Sequence, residues 1–323
     1  MNYIVLDLEW NQSPKGKEFS VPGIPFEIIE IGAVKVDEQF NIVDEYHQII
    51  KPVVYTAFHS KIKDMLSISY EDLCNGEEFE RAAESFIEWC GEDYRFVTWG
   101  CLDLTELQRN MKFYNMDMQL EFPLLFYDLQ KLYSIRYSDG KTRSSLKNVI
   151  ESMQLPENDT FHSALGDARY TAQILKKMDF NAVKIFESID TFRIPANRKE
   201  EIRINFGTYE KYISKGFKSK DTAVNDRVVR SCRCYMCGKP MKRIIKWFAT
   251  GSKNYYGLFK CDEHGLFKGR FRARQSDEGY YFVIKIMKHT NEAGGEKISQ
   301  RQQKEREHRR RRRQEEKARG QTP

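Results

Sequence analysis

Apolar residues in the first 180 positions follow two different spacings, and their alternation predicts an α/β fold. Short runs rich in β-branched residues at 3–9, 27–37 and 42–50 are typical of strands. Apolar positions in 79–90 instead recur three and four residues apart, as in a helix. Similar patterns predict strands at 96–99 and 124–128 and helices at 104–114, 145–153 and 164–178. This order predicts hairpin strands followed by helices that pack around a mixed sheet.

The remainder of the chain changes character twice. Residues 181–227 contain helix-like and polar pieces without a clear packing pattern, and we interpret them as a connector that follows a domain at 1–180. Residues 228–290 predict a small antiparallel sheet module, with strands at 243–249, 255–260, 265–274 and 280–287 separated by turns that contain Gly and Asp. Residues 291–323 are rich in Gly, Gln, Glu and Arg, which predicts a disordered tail or a solvated helix.

Composition limits the class of protein. The chain has 323 residues, of which 40% are hydrophobic and 13% aromatic, enough for two compact cores and a tail. No run approaches the roughly 18 to 20 apolar residues that a membrane span needs. The start MNYIVLDLEW lacks the basic region and long apolar region of a signal peptide. We therefore expect a cytoplasmic protein without a membrane partner.

Charge divides the chain into an acidic front and a basic back. Residues 1–190 contain 19 Lys and Arg against 32 Asp and Glu. Residues 191–296 contain 23 against 11, and residues 297–323 contain 11 against 4, including the run Arg309 to Arg313. A basic segment of this kind is typical of nucleic-acid binding. An acidic domain binds phosphate poorly unless cations intervene.

Acidic residues occur in one predicted strand and at the end of another, where the sheet could bring them together. Asp7 and Glu9 lie two residues apart in an apolar strand, so both side chains share one face. Two adjacent buried carboxylates repel each other and need a cation or protons, although a solvated strand end would remove that need. Asp103 lies where a strand leads into a helix, which could also be an ordinary helix N-terminal acid.

The segment FHSALGDARYTAQIL supplies a histidine and a further acid. Ser163 is placed to cap the helix that follows it. Since five residues of ideal helix turn through about 500°, His162 and Asp167 would not share a face if both were helical. We therefore expect His162 to precede the helix and lean over the cleft that Asp167 faces. The alternative is a histidine that only caps the helix.

Taken in order, the motifs DLE, WGxxD and HxAxxDA resemble those of the DEDDh 3′-to-5′ exonucleases of the RNase T and proofreading-exonuclease superfamily. The resemblance covers about residues 1–180. The segments PFEIIEIGAVKVD and TWGCLDL are most similar to the ERI-like branch, which includes KapD-type sporulation inhibitors. This resemblance implies an RNase H-like fold, with a mixed sheet flanked by helices.

The resemblance also implies a mechanism and a site. By position, Asp7, Glu9, Asp103 and Asp167 would bind two Mg²⁺ or Mn²⁺ ions, and Asp7 would bridge the two. His162 would be the general base, because a histidine with an ordinary pKa of about 6.5 can accept a proton near neutral pH. The product would be a nucleoside 5′-monophosphate.

Other residues near these motifs have two interpretations. Trp10 directly follows the DLE strand and could stack on a terminal base or belong to the core. Trp99 is expected in the core. Glu30, within EIIEIGAV, could touch the site, but we expect it to face solvent or a capping partner.

Four cysteines are concentrated in the basic half. A C-x2-C pair at Cys234 and Cys237 is followed, after 23 residues, by a C-x2-H pair at Cys261 and His264. This spacing is typical of a zinc ribbon that binds one structural Zn²⁺ ion. Replacing His264 by Cys232 would give a four-cysteine site instead.

Basic residues alternate with other residues along one predicted strand. Lys268, Arg270, Arg272 and Arg274 would share one face, and we call these four residues the basic stripe. Phosphate binding is the interpretation we favour, although a solvated strand face would show the same pattern. We therefore predict a two-metal 3′-to-5′ exonuclease that degrades single-stranded ends, with RNA favoured over DNA. The alternatives are a DNA exonuclease in repair or proofreading and a noncatalytic nucleic-acid-binding regulator.

Overall fold

The structure is a computed structural model that describes residues 1–57, 68–116, 120–157, 159, 161–251 and 253–319. The chain forms two compact units, Met1–Arg193 and Ile194–Pro323. Within the described residues, no helix has the length and apolar character needed to span a membrane.

The first unit contains a six-stranded mixed sheet in the order β3-β2-β1-β4-β5-β6. Its first three strands form antiparallel hairpins, whereas β1, β4 and β5 run parallel and β6 is antiparallel to β5. The strands are β1 (Asn2–Asn11), β2 (Glu27–Val36), β3 (Ile42–Ile49), β4 (Tyr94–Thr98), β5 (Leu125–Asp128) and β6 (Ser188–Ile189).

Helices cover both faces of this sheet. In chain order they are α1 (Tyr70–Cys74), α2 (Phe79–Cys90), α3 (Leu102–Phe113), α4 (Leu129–Tyr137), α5 (Leu146–Ser152) and α6 (Ala164–Lys177). The period of two in β1 divides its side chains between two cores. Ile4 and Leu6 pack with residues of α2 and α3, whereas Tyr3 and Val5 pack with residues of α5 and α6. The predicted α/β fold, a mixed sheet flanked by helices, is confirmed.

The second unit contains a six-stranded antiparallel sheet in the order β7-β8-β12-β11-β10-β9. The strands are β7 (Ile202–Asn205), β8 (Tyr209–Ile213), β9 (Lys242–Thr250), β10 (Asn254–Cys261), β11 (Gly265–Gln275) and β12 (Tyr281–Thr290). Three helices accompany them: α7 (Lys220–Asn225), α8 (Arg227–Arg230) and α9 (Glu292–Arg319). The four strands predicted between 243 and 287 are confirmed.

The structure differs from the predicted organisation in the segment 181–227. Instead of forming a separate connector, this segment supplies β6 to the first sheet and both β7 and β8 to the second. These strands have two, four and five residues. Such short strands show too few alternations for periodicity to reveal them. Their place in a sheet depends on distant partners, so the local sequence does not mark it.

The tail also differs from the disordered segment predicted for 291–323. Residues 292–319 form α9, which matches the alternative of a solvated helix. Although α9 is polar on nearly every side, Ile298 is buried against Ile245 and Leu258 of the sheet. The guanidinium of Arg301 also lies 4.3 Å from the ring centre of Tyr256. These contacts attach the first part of a helix that its own polar composition would leave unsupported.

A glycine allows α6 to approach β2 very closely. A Cβ atom built on Gly32 would lie 2.0 Å from the backbone nitrogen of Leu165 and 2.1 Å from the carbonyl carbon of Ala164. Gly32 is the register partner of Asp7 in β1. The absence of a side chain at Gly32 therefore brings the first turn of α6 over the part of β1 that carries the predicted acids.

We predict that Gly32→Ala lowers the free energy of unfolding by about 3 kcal/mol, at the upper end for overpacking, because backbone atoms cannot rotate away from the new methyl group. The measurement is denaturant unfolding. Gly295→Ala is the matched control, since its Cβ would meet Leu258 at an ordinary 3.4 Å. This change within α9 should stabilise the helix by about 0.5 to 1 kcal/mol. Equal effects of the two substitutions would contradict the close approach.

Candidate active site and metal centres

Two acids of β1 point towards the face that α6 covers. Asp7 and Glu9 continue the side-chain alternation that places Tyr3 and Val5 on that face, and both are partly buried. Their register partners in β2 are Gly32 and Glu30. The strand therefore presents two carboxylates, two residues apart on the same face, beside a third on the neighbouring strand.

The third predicted acid reaches β1 because β4 is short. The parallel pairing of β1 with β4 ends at Leu6 and Thr98, so the following part of β1 has no strand on that side. The chain turns at Gly100, whose φ of 117° favours glycine, and enters α3. Asp103, in the first turn of α3, is only 6% exposed, and its carboxylate accepts a hydrogen bond from the backbone amide of Leu8.

The remaining two predicted residues come from the start of α6. His162 precedes the helix and is exposed, with a φ of 61° in the left-handed region. Asp167 lies in the first turn and accepts a hydrogen bond from the backbone of His162. Ligand atoms of Glu9, His162 and Asp167 all lie within 4.8 Å of one another. Residues separated by more than 150 positions thus meet at one point.

Burial and mutual repulsion raise the pKa values of these carboxyl groups. For Asp7 the pKa rises well above its usual value, first through burial and then through repulsion from Asp103 and other nearby acids. Burial followed by repulsion from Asp167 raises the pKa of Glu9 to about 8. Burial also raises the pKa of Asp103 to about 7 and that of Asp167 to about 6, although His162 opposes the second shift.

This donor set fits hard divalent cations. Carboxylate oxygens are the ligands that Mg²⁺ and Mn²⁺ prefer. Asp167 Oδ1 is buried and has no hydrogen-bond partner among the residues that the structure describes. Such an oxygen is costly unless a cation or a proton satisfies it. The geometry therefore leaves a place for positive charge among the acids.

Glu30 is a further carboxylate at the site. Of the two environments expected for it, solvent is wrong, because Glu30 is 1% exposed and lies opposite Glu9. The expected contact with a capping residue is present. Glu30 Oε1 lies 2.8 Å from His47 Nε2 and accepts a hydrogen bond of 3.3 Å from Ser163, the N-cap residue of α6. Counting the register of the β1–β2 hairpin would have placed Glu30 beside Glu9, but the register depends on a bulge at Glu9 and Trp10.

The first unit matches the family model described as exonuclease, RNase_T, over residues 4–175. This match covers more than half of the chain. The chain belongs to the RNase_T exonuclease family. Its first unit is therefore a nuclease unit, and the arrangement of acids described above lies within the matched residues.

Two curated relatives and one solved structure share this similarity. The chain is 28% identical over 228 residues to DNA polymerase III PolC-type of Thermotoga maritima and 30% identical over 229 residues to that of Thermotoga petrophila. Each match covers 68% of the chain but only 15% of the relative. The nuclease domain of 3′hExo, a DEDDh family member bound to rAMP, superposes with a TM-score of 0.50 at 18% identity, covering 58% of this chain and 96% of that domain. That similarity shows a shared fold.

The basic half of this RNase_T protein contains a second group of candidate metal ligands. Cys234 and Cys237 lie in the loop before β9, Cys261 ends β10, and His264 lies in the turn before β11. Their ligand atoms all lie within 4.8 Å of one another. Cys234 Sγ is 3.6 Å and Cys261 Sγ 3.7 Å from His264 Nδ1. Such separations fit a tetrahedral Zn²⁺ ion bound at the usual 2.0 to 2.3 Å.

Cys232, the alternative ligand, points elsewhere. Its buried thiol lies 3.4 Å from the carbonyl oxygen of Arg230 and is not part of the four-residue group. The geometry therefore supports His264 rather than Cys232 as the fourth ligand.

The predicted substrate-binding residues occupy two different environments. All members of the basic stripe (Lys268, Arg270, Arg272 and Arg274) are exposed, while Phe267 and Phe271, at the alternate positions of the strand, are buried on the opposite face. Since Leu258 is the register partner of Lys268, the helix α9 that contacts Leu258 lies on the same face as the basic stripe. Trp10 is partly buried against the first core, with its ring 5.6 Å from that of Phe26.

We predict that the metal-free protein loses stability as pH rises from about 5 to 8. The folded pKa of Glu9, about 8, exceeds its ordinary value of 4.5, so the folded state retains protons that the unfolded state releases in this interval. Adding Mg²⁺ should reverse the loss at pH 8. Thermal unfolding with and without the ion tests both statements.

Glu9→Gln provides the control for this pH effect, because an uncharged amide removes repulsion. The variant should melt at a higher temperature than the wild type at pH 8 without added metal, and the difference should disappear at pH 4. A wild-type protein whose stability rises throughout this pH range would contradict the electrostatic interpretation.

We predict one tightly bound Zn²⁺ per chain, lost in Cys261→Ser and retained in Cys232→Ser. The first change removes a thiolate from the four-residue group, and the second removes a thiol that points away from it. Elemental analysis of purified full-length protein is the measurement. Retention of zinc by Cys261→Ser, or its loss from Cys232→Ser alone, would refute the choice of ligands.

Proposed function

We propose that this protein is a metal-dependent 3′-to-5′ exonuclease that releases nucleoside 5′-monophosphates from single-stranded nucleic acid, with RNA favoured over DNA. One observation carries the proposal: Glu9 and Asp167 lie beside His162, and Asp7 interacts electrostatically with these two acids and with Asp103, within a unit that matches the RNase_T family. Their arrangement supports the phosphodiester hydrolysis that the resemblance to DEDDh exonucleases implies.

In this proposal the four acids would hold two Mg²⁺ or Mn²⁺ ions. Bound there, the ions would supply a polarised phosphate, an activated water and a stabilised leaving oxygen. The carboxylates of Asp7 and Asp103 have the raised pKa values that such cations would lower again. The buried oxygen of Asp167 would gain the ligand contact that the described residues do not provide.

His162 would accept the proton of the attacking water. Its exposed ring can reach solvent, and its ring nitrogen lies close to carboxylate oxygens of Glu9 and Asp167. Glu30 would contribute indirectly, because its hydrogen bond with Ser163 fixes the residue that follows His162. A fixed backbone limits the positions of the imidazole, which must stay within hydrogen-bonding reach of the attacking water to act as a general base.

The second unit would capture the substrate. Its basic stripe offers exposed cations to the phosphate backbone, which the acidic first unit would otherwise repel. A Zn²⁺ ion bound by Cys234, Cys237, Cys261 and His264 would be structural, since four protein ligands leave no open position. Trp10 could stack on the terminal base with its partly exposed ring.

The preference for RNA rests on the resemblance to the ERI-like branch. The 3′hExo nuclease domain carries rAMP in the structure that shares this fold. The PolC-type relatives are DNA polymerases, and their 28% and 30% identity favours the alternative of a DNA exonuclease. Degradation of RNA and DNA strands of the same sequence, side by side, decides between the two substrates.

We predict that full-length protein with Mg²⁺ releases mononucleotides from the 3′ end of a labelled single strand, faster from RNA than from DNA. Asp7→Ala should abolish release, and His162→Ala should lower kcat by about 10²- to 10⁴-fold, the usual contribution of a general base. Glu84→Ala, which removes an exposed acid from α2, is the control and should leave kcat unchanged.

Each outcome of this assay has a defined meaning. Equal release by the wild type and Asp7→Ala would contradict the assigned site. Binding without release by the wild type would favour the noncatalytic regulator. Faster release from DNA would select the alternative of a DNA exonuclease.

A further inference from the structure

The second unit contains an arginine-lined cleft that the assignments above do not use. Its volume is about 810 Å³, which exceeds the space that one nucleotide needs. The wall carries four guanidinium groups, from Arg198, Arg203, Arg227 and Arg233. Two carboxylates, from Glu210 and Asp226, also line the cleft, and Glu201 forms an ion pair of 3.0 Å with Arg198, so four guanidinium groups face three carboxylates.

Two of the arginines are fixed in place by ion pairs. Arg203 lies 2.6 Å from Glu210, and its guanidinium lies 4.8 Å from the ring centre of Tyr212. Arg198 lies 2.7 Å from Asp226. A guanidinium held by a carboxylate on one edge still has donors on its other edges. These pairs therefore orient the cleft wall without using all of its hydrogen-bonding capacity.

The other two arginines provide the excess charge. Arg227 and Arg233 are exposed, and neither forms an ion pair with a described carboxylate. Arg233 Nη1 donates a hydrogen bond of 3.1 Å to the carbonyl oxygen of Gly238, which holds it against the loop that carries the first two zinc-ligand cysteines. An open concave surface that carries planar guanidinium groups suits an acceptor with several oxygens, such as phosphate, which can accept two parallel hydrogen bonds from one guanidinium.

The cleft and the basic stripe lie on opposite faces of the second sheet. Glu210 pairs in register with Met287, which in turn pairs with Gly269. Because side chains alternate along β11, position 269 faces away from Lys268 and Arg270. One phosphate group cannot contact both surfaces, so the cleft would bind a different part of the ligand.

We propose that this cleft binds phosphodiester groups of a nucleic-acid strand, as a second contact surface separate from the basic stripe. The assignment to a nucleic acid rests on the proposed exonuclease function, whereas the affinity for phosphate rests on the cleft itself. The guanidinium groups of Arg227 and Arg233 supply direct contacts, and Arg198 and Arg203 complete the wall.

The test is binding of a labelled single strand to full-length protein carrying Asp7→Ala, which prevents cleavage, over a range of salt concentrations. Arg227→Ala/Arg233→Ala should reduce the slope of log affinity against log salt by about 1.4, since a single strand contributes about 0.7 per phosphate contact. This change corresponds to about 25-fold weaker binding at 0.1 M salt. Lys218→Ala/Lys253→Ala removes two exposed charges elsewhere in the same unit and is the matched control.

Competition distinguishes the two sources of phosphate. If a nucleoside 5′-monophosphate displaces the strand from the Asp7→Ala protein but not from the same protein carrying the cleft substitutions, the cleft binds a terminal or free phosphate, and the proposal of a strand contact is overturned. If the mononucleotide does not compete while the cleft variant binds weakly, the strand itself is the ligand. Equal slopes for the cleft variant and the lysine control would overturn the proposal.

The binding test of the cleft can fail independently of the proposed nuclease activity. The readout is binding by an inactive variant, so it does not depend on turnover. Circular dichroism and zinc content of Arg227→Ala/Arg233→Ala show whether the fold has survived. A folded, zinc-loaded variant that binds the strand as tightly as the lysine control shows that the cleft is not a contact surface, whatever the nuclease assay gives.

Discussion

The repulsion among buried carboxylates is the constraint on which the first unit depends. Acids from α3 and α6 lie close enough to β1 for their charges to raise the pKa values of Asp7 and Glu9, and Glu30 adds to both shifts. A fold normally avoids this arrangement because each desolvated charge costs several kcal/mol. Here the backbone requires it: β4 ends early enough for Asp103 to bond Leu8, and Gly32 allows α6 to approach β1. The local geometry therefore favours the binding of cations among these acids.

In the proposed function, the negative charge of these acids also accounts for the division of charge between the two units. A cluster of acids repels the phosphates of a nucleic acid until cations neutralise it, so attraction at a distance must come from elsewhere. The basic stripe and the arginine-lined cleft lie on opposite faces of the second sheet, and both present exposed guanidinium groups. In the proposed function the two units thus have complementary electrostatic roles, the first binding metal ions and the second binding the polyanion.

Sequence patterns predicted the features that depend only on short-range residue spacing. The period of two in β1 gave the shared face of Asp7 and Glu9, and the turn count placed His162 before α6. The sequence could not predict contacts that depend on register. Glu30 joins the site only through its pairing with Glu9, which no local pattern records. Similarly, β6 and β7 are too short to show periodicity, and α9 is ordered by Ile298 despite its polar composition.

The position of His162 follows from the same group of acids. Its left-handed backbone is uncommon for a residue with a side chain and persists only where neighbouring contacts hold it. Asp167 accepts a hydrogen bond from the His162 backbone, and Ser163, the next residue, donates to Glu30. Asp167 and Glu30, both members of the acidic cluster, therefore also hold the loop that carries the proposed base. A change at Glu30 or Asp167 would consequently alter both the negative charge of the cluster and the position of His162.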